Sequence, residues 1–309
     1  MLKLRENVSL APFTTFKIGG KARYYGEVSG TIELAEMFDY AEKHKLPLYV
    51  LGGGSNTLFS DKGFSGIVVR VVDGGVKVMG QKMIIGAGVP LLDAVLAAKD
   101  ASLQGIEKLA GIPGSFGGAI RGNAGAFGTE IGTFVTSVKA LDRSTGMVHE
   151  YSREECAFGY RMSLFKKRSH LVVLSAELRL MLGDSAELER IIKETRATRE
   201  AKHPQAALCA GSFFMNPVVH DKHLLEEFQK DTGNPSKDGK LPAGWLIDHV
   251  GLRGKKIGGA QVSPQHPNYI VNTGNATAED IVTLASLIKT RVRDELRVRL
   301  QEEVQYVGF

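Results

Sequence analysis

The stretch GIPGSFGGAIRGNAGAFG, Gly111 to Gly128, holds seven glycines in eighteen residues and restricts the possible folds more than any other. Glycine removes side-chain bulk and admits positive φ, at a cost in conformational entropy on folding. So much bare backbone implies close approach of the main chain to something else: another piece of chain, as in a tight loop, or a ligand. A second glycine-rich turn, GGGSN at Gly52 to Asn56, follows the apolar segment PLYVL. Each turn offers consecutive N–H groups and a small hydroxyl, Ser55 in one and Ser115 in the other. Successive N–H groups in a turn form a concave anion site, and a helix N-terminus beyond the turn adds partial positive charge. Either turn alone reads equally well as a tight surface loop. Two of them, each after an apolar segment, favour a phosphate-bearing ligand, with a pyrophosphate clasped from both sides.

The position of the turns excludes two common nucleotide folds. RYYGEV, residues 23–28, predicts a short strand, and TIELAEMFDYAEKHK from Thr31 predicts an amphipathic helix. Its Ile32, Leu34, Ala35, Phe38 and Ala41 fall at helical spacing. PLYVLGGG predicts a buried strand running into glycines. A Rossmann fingerprint places its glycines between the first strand and the first helix, whereas here they follow the second strand. No G-x-x-x-x-G-K-S/T occurs, so a P-loop is excluded.

Further along, GIVVRVV, VKVMG and KMIIGAG predict consecutive strands, and PLLDAVLAAKDA a helix opened by Pro90. FVTSVKALD, MVHEYS and LVVLSAELRLML predict strands, with Tyr151 to Arg168 linking the last two. A polar helix follows over Ser185 to Lys202, and KHPQAALCAGS breaks it at the best domain boundary in the chain. Then come SFFMNPVV, a helix near HLLEEFQ, a loop rich in Lys, Asp and Gly, and AGWLIDHVGL. Next is a helix over Thr277 to about Arg293, with Thr277 as N-cap and the Asp280 carboxylate in its first turn. RVRLQEEVQYV predicts a terminal strand. The class is α+β.

A length of 309 residues is the size of about two domains, and 43% apolar with 24% charged residues is ordinary for a globular chain. A net charge of +5 suits an anionic small molecule; the basic residues are dispersed, which argues against nucleic acid. Cys156 and Cys209 form neither a disulfide framework nor a C-x-x-C pair. The eight histidines are scattered, with no metal-ligand spacing. MLKLRENVSLAPF has no signal-peptide core, and no apolar run reaches membrane-spanning length, so a cytoplasmic protein is expected.

Three more stretches carry side chains suited to chemistry. FGYRMSLFKK sets Arg161 beside aromatics, where a guanidinium either grips a carboxylate bidentately or snorkels past an apolar edge. AGSFFMNP places Ser212 after a glycine, as a proton donor or a turn cap; it is not a nucleophile elbow. Asn216 precedes Pro217 and is held extended. LQEEVQYVG places Glu302 and Glu303 in a strand pattern, so only one faces inward.

Taken together, TTFKIGG, LGGGSN, GIPGSFGGAIRGNAGAFG, FGYRMS, AGSFFMNP, AGWLID followed by GLRG and GGAQVS, and LQEEVQYVG resemble the UDP-N-acetylenolpyruvoylglucosamine reductase (MurB) family over nearly the whole chain. The absence of a long insertion after FGYR resembles its shorter, type II form. The resemblance implies a two-subdomain FAD-binding fold of the vanillyl-alcohol oxidase type, residues 1–72 and 73–202, and a C-terminal α+β substrate domain, residues 203–309. It implies FAD and NADPH as cofactors, a nucleotide-sugar substrate, no membrane insertion and a monomer. It implies that Gly52, Gly53, Gly54, Ser55, Asn56, Ile112, Pro113, Gly114, Ser115, Gly118, Asn123 and Gly125 hold FAD. Ser212 becomes the proton donor to a transient carbanion, with Arg161 and Glu303 bracketing the substrate carboxylate. Tyr160, Asn216, Gln265, His266 and Lys202 become substrate contacts; for Gln265 and His266 a structural loop role reads equally well.

Three positions depart from the family pattern. Met215 stands where lysine is common, Gln305 where arginine is common and Met162 where aspartate is common. None removes a proposed catalytic group, but the first two remove positive charge. Two other readings fit part of the pattern. Another flavin oxidase or dehydrogenase of the same fold would carry a different substrate domain, without the Ser212 and Glu303 motifs. A non-catalytic nucleotide-sugar binding module would not need Arg161, Ser212 and Glu303 together.

Overall fold

The computed structural model describes residues 2–72, 74–202 and 208–309. The proposed boundary after Lys202, and the Lys202 side chain, lie outside the described residues. The chain divides into two compact units. One gathers Met1–Val8, Ala22–Gly54 and Ser65–Glu200, and the other Ser9–Lys21, Ser55–Phe64 and Ala201–Phe309.

In the first unit, a four-stranded sheet runs in the order Arg5–Ser9, Lys21–Val28, Phe64–Val71, Leu48–Leu51. Leu48–Leu51 pairs parallel to Phe64–Val71. Helix α1, Thr31–Lys43, starts where the Glu33 carboxylate accepts the Ser29 N–H at 2.8 Å. It buries Leu34, Met37, Phe38 and Ala41 against Val28, Ile67 and Val69. Met37 takes the core position that helical spacing suggested for Ile32, which is 77% exposed. The expected buried strand at Leu48–Leu51 is half-buried except for Leu51.

The second sheet is antiparallel, in the order Met147–Ser152, Val135–Asp142, Leu171–Arg179, Lys82–Gly86, Val76–Met79. Its core takes in Leu91, Ala94, Val95 and Ala98 of α2, Leu91–Asp100, and Phe116, Ala119 and Ile120 of α3, Phe116–Gly122. Pro90 is the N-cap of α2, one position earlier than the first helical residue. The last sheet strand stops at Arg179; Met181–Leu182 pairs separately with Leu103–Gln104. A single turn, α4 at Leu164–Lys167, and the polar α5 at Ser185–Lys202 complete the unit.

The second unit packs α6 (Lys222–Thr232), α7 (Ala243–His249) and α8 (Ala278–Leu296) with a small antiparallel sheet of Lys256–Ile257, Ala260–Val262 and Ile270–Asn272. Thr277 and Asp280 form a full capping box on α8, and Asp61 Oδ2 accepts the Ala278 N–H at 2.8 Å. The expected terminal strand shrinks to Gln305–Val307, paired parallel with Thr57–Phe59. Residues 301–304 carry only the single bridge Phe214 to Glu302. Strand alternation therefore does not divide Glu302 from Glu303. Both are half-buried, and Glu302 pairs with Lys289 Nζ at 2.8 Å. Among the described residues no helix is long and apolar enough to cross a membrane.

Candidate active site

The two glycine turns meet within the first unit. A Cβ on Gly53 would lie 2.5 Å from Gly114 Cα, and one on Gly52 would lie 2.6 Å from Ser115 Oγ. Gly114 also has φ +120°, a region closed to side chains. Part of the demand for bare backbone is therefore chain meeting chain. The N–H groups expected to form an anion nest in the second turn are mostly engaged. Phe116 N–H donates to Val89 O at 2.7 Å and Gly117 N–H to Ala87 O at 2.9 Å. Gly118 N–H donates to Ser115 Oγ, the N-cap of α3, at 3.3 Å. Ser115 is buried; Ile112 and Gly114 are half-buried, and Pro113 is exposed.

Gly118 differs from its neighbours. It is exposed in a helix whose residues 116, 117, 119 and 120 are buried. A Cβ there would meet only Ser115 Oγ, at 3.4 Å, an ordinary contact. Gly122, one turn on, has nothing within 4 Å of its Cβ position. Glycine in a helix costs about 1 kcal/mol relative to alanine, and here no protein atom requires it. A bare, accessible helix face beside two joined loops fits a dinucleotide laid against the main chain.

The far end of α3 is tied to the Arg161 segment. Asn123, in the left-handed region at φ 44°, caps α3 and is 1% exposed. Its Nδ2 donates to Glu130 Oε2 and to Gly159 O, both at 2.8 Å, and its Oδ1 accepts the Gly132 N–H at 2.9 Å. Both amide hydrogens of Asn123 are engaged within the protein, and its oxygen accepts one bond, so it positions this loop. Gly159 and Met162 exchange backbone hydrogen bonds at 3.0 Å around a tight turn of Tyr160 and Arg161. Arg161 has φ +54°, a strained value for a residue with a Cβ. Its Nη2 donates to Gly125 O at 2.8 Å, its guanidinium lies 5.3 Å from the centre of the Tyr160 ring, and its carbonyl accepts from Lys166 Nζ at 2.9 Å. The expected cofactor residue Gly125 therefore holds the guanidinium through its carbonyl. A Cβ on Gly125 would lie 2.9 Å from Thr129 O.

In the second unit, the Ser212 segment is fixed from two sides. Gly211 turns the chain at φ +76°, Ser212 is half-buried, and Phe213 and Phe214 are buried at 0% and 1% exposure. Burying two phenylalanines stabilises this placement by about 3–6 kcal/mol in total. Asn268 clamps the segment: Phe213 N–H donates to its carbonyl at 2.7 Å, Phe214 N–H to its Oδ1 at 2.9 Å, and its Nδ2 returns a bond to Phe214 O at 2.8 Å. On the other side, Glu303 N–H donates to Phe213 O at 2.8 Å and Met215 N–H to Gln301 O at 2.9 Å. Asn56 Nδ2 donates to Glu303 O at 3.1 Å. Gln265 and His266 N–H groups both donate to Ser263 Oγ, and the His266 ring packs 4.8 Å from that of Tyr269. Asn216 Oδ1 accepts the Ala243 N–H at 3.0 Å, at the start of α7.

The structure therefore brings Ser212, Glu303 and Asn56 onto hydrogen-bonded segments of the second unit, with the Gln265–Asn268 loop beside them. In the first unit it brings Arg161 to Gly125, and Gly52 and Gly53 to Gly114 and Ser115. Sequence reading missed the positioning residues Asn268 and Lys166, although Lys166 lies inside the quoted FGYRMSLFKK and Asn268 stands two residues after His266. It also missed Ser163, whose Oγ donates to Arg121 O at 2.6 Å.

A family model described as FAD binding domain matches residues 24–152. One described as UDP-N-acetylenolpyruvoylglucosamine reductase, C-terminal domain, matches residues 203–307. The UDP-N-acetylenolpyruvoylglucosamine reductase of Solibacter usitatus is 35% identical over 99% of this chain and 97% of its own length. Reductase 1 of Bacillus cereus is 34% identical over 98% of this chain and 94% of its own. The crystal structure of the Thermus caldophilus enzyme superposes with a TM-score of 0.78 at 30% identity, covering all of both chains.

Proposed function

The chain belongs to the UDP-N-acetylenolpyruvoylglucosamine reductase family of flavin-dependent oxidoreductases, and from that membership we propose that it reduces UDP-N-acetylglucosamine enolpyruvate to UDP-N-acetylmuramate with NADPH as reductant. This is a step in peptidoglycan precursor synthesis, carried out by a cytoplasmic, type II, monomeric enzyme and serving cell-wall growth and division. FAD, when bound, would supply the hydride chemistry that links the nicotinamide to the vinyl carbon of the substrate. Gly52, Gly53, Gly54, Ser55, Asn56, Ile112, Pro113, Gly114, Ser115, Gly118, Asn123 and Gly125 form its cradle, with Asn56, Asn123 and Gly125 also fixing neighbouring segments.

Ser212 supplies the proton to the substrate carbon next to the one that takes hydride. A serine hydroxyl is a weak acid, and the carbanion character of that carbon makes it a matching base. Arg161 pairs with the substrate carboxylate, held for a fork-shaped contact by Gly125 O and the Tyr160 ring. Glu303 holds a proton against the same carboxylate. Both stabilise negative charge that grows in the transition state. Tyr160, Asn216, Gln265, His266 and Lys202 contact the sugar nucleotide.

The observation that carries this reading is the 2.8 Å bond from Glu303 N–H to Phe213 O, which sets Ser212's segment against that of Glu303. Anaerobic stopped-flow spectra test it. Ser212→Ala should leave flavin reduction by NADPH near the wild-type rate. It should slow reoxidation by the enolpyruvyl substrate about 10²- to 10⁴-fold, the usual worth of a positioned proton donor. Equal losses in both half-reactions would remove Ser212 from the role.

A further inference from the structure

Arg121 lies three residues after Gly118 on α3, so the two share a helix face with Gly122. It is half-buried, and burial pulls its guanidinium below the usual arginine range. Its neighbour is Tyr49, on the strand that leads into Gly52–Gly54. Tyr49 offers a phenol and no carboxylate to balance a cation. Among the described residues no carboxylate lies within 4.0 Å of the Arg121 guanidinium and no acceptor is hydrogen-bonded to it. Its carbonyl accepts from Ser163 Oγ at 2.6 Å. A half-buried arginine with a carboxylate partner does occur elsewhere in the chain: Arg70 lies 3.9 Å from Glu27. A cation withdrawn from water without a partner is costly.

We infer that Arg121 is an anion-binding residue of the cofactor cradle, and that its partner is the diphosphate of the dinucleotide. The guanidinium fork matches phosphate oxygens in geometry. It rises from the helix face that carries the two glycines without a packing reason, and it stands next to the strand feeding the other glycine turn. The second turn's N–H groups are largely engaged, so the positive charge that a diphosphate needs comes from this side chain. The inference rests on the FAD reading above.

The test titrates the full-length, flavin-stripped chain with FAD, followed by flavin fluorescence, and with ADP, followed calorimetrically. Arg121→Met should weaken both ligands by about 10- to 100-fold and lower the salt dependence of binding. Its flavin-free melting temperature should stay level or rise, because an unpartnered buried charge has been removed. Arg121→Lys should recover part of the affinity. Unchanged affinity in Arg121→Met overturns the inference, and so does a loss for FAD with none for ADP, which would place the contact on the flavin half. A lowered flavin-free melting temperature with no recovery in Arg121→Lys marks a structural role and also overturns it. A wild-type chain that takes up neither ligand removes the FAD reading itself.

Discussion

Arg161 offers a test in which the sign of the result matters more than its size. Its φ of +54° is imposed by the backbone bonds between Gly159 and Met162 and by Lys166 Nζ on its carbonyl. A residue with a Cβ in the left-handed region is destabilised by about 1–2 kcal/mol, and glycine escapes this. Arg161→Ala and Arg161→Gly both lose the charged bond to Gly125 O, about 1.5–3 kcal/mol, and the contact over Tyr160, about 0.5–1 kcal/mol. They differ only in the Cβ. At ordinary positions in helices or strands, glycine is less stable than alanine by about 0.5–1 kcal/mol. Here the glycine variant should be the more stable of the two by about 1 kcal/mol, which corresponds to about 2–4 °C for a unit of this size. Urea unfolding and calorimetry of the flavin-free variants read the difference, and both variants should lose turnover. An alanine variant as stable as the glycine variant, or more so, would show that the turn relaxes and holds no strain.

The glycine turns predict opposite responses to one added methyl group. Gly118→Ala should raise flavin-free stability by up to about 1 kcal/mol, because its Cβ has room, while weakening FAD binding measured by fluorescence. Gly53→Ala should lower stability by about 1–3 kcal/mol, because its Cβ lies 2.5 Å from Gly114 Cα. The Cys156 thiol is fully buried, and that burial pushes its pKa up to about 12. A raised thiol pKa means that the folded state keeps its proton while the unfolded chain loses it from about pH 8.5. Its contribution is therefore intact below about pH 8.5 and lost as pH rises toward 12, by up to about 1.4 kcal/mol per pH unit. Urea unfolding at stepped pH should show this slope flattened in Cys156→Ala, and the native thiol should resist thiol-specific reagents at pH 8.

Local elements were legible in the sequence wherever period and capping agree. The capping box at Thr277 and Asp280 and the run of strands from Phe64 to Gly86 formed as read. Periodicity failed where two faces compete: Met37 and Ile32 both suit the α1 stripe, and only packing against Ile67 and Val69 chose Met37. At the C-terminus, RVRLQEEVQYV has strand alternation along its length, but a partner strand exists only for Gln305–Val307. A strand needs a neighbour, and the neighbour is Thr57–Phe59, about 250 residues away. The motif residues were visible as residue types, and the positioning shell of Asn268 and Lys166 was not. Amide and ammonium bonds to backbone carbonyls depend on which chain segments meet, and no local pattern encodes that.

Two kinds of glycine occupy the same eighteen residues, and only the structure separates them. Gly114 and Gly117 are bare because protein lies against them: Gly114 faces Gly53, and a Cβ on Gly117 would lie 2.7 Å from Ala87 Cβ. Gly118 and Gly122 face no protein atom closer than 3.4 Å, so packing gives no reason for them. This division also explains why Asn123 and Arg121 follow so closely. Asn123 uses both amide hydrogens and its side-chain oxygen to lock the end of α3 against the Arg161 turn, so the bare face is presented by a rigid support. Arg121, held by its carbonyl to Ser163, keeps its guanidinium available on that face. A cradle built this way orders its backbone before a ligand arrives, and the entropy of ordering is then met in folding and not in binding.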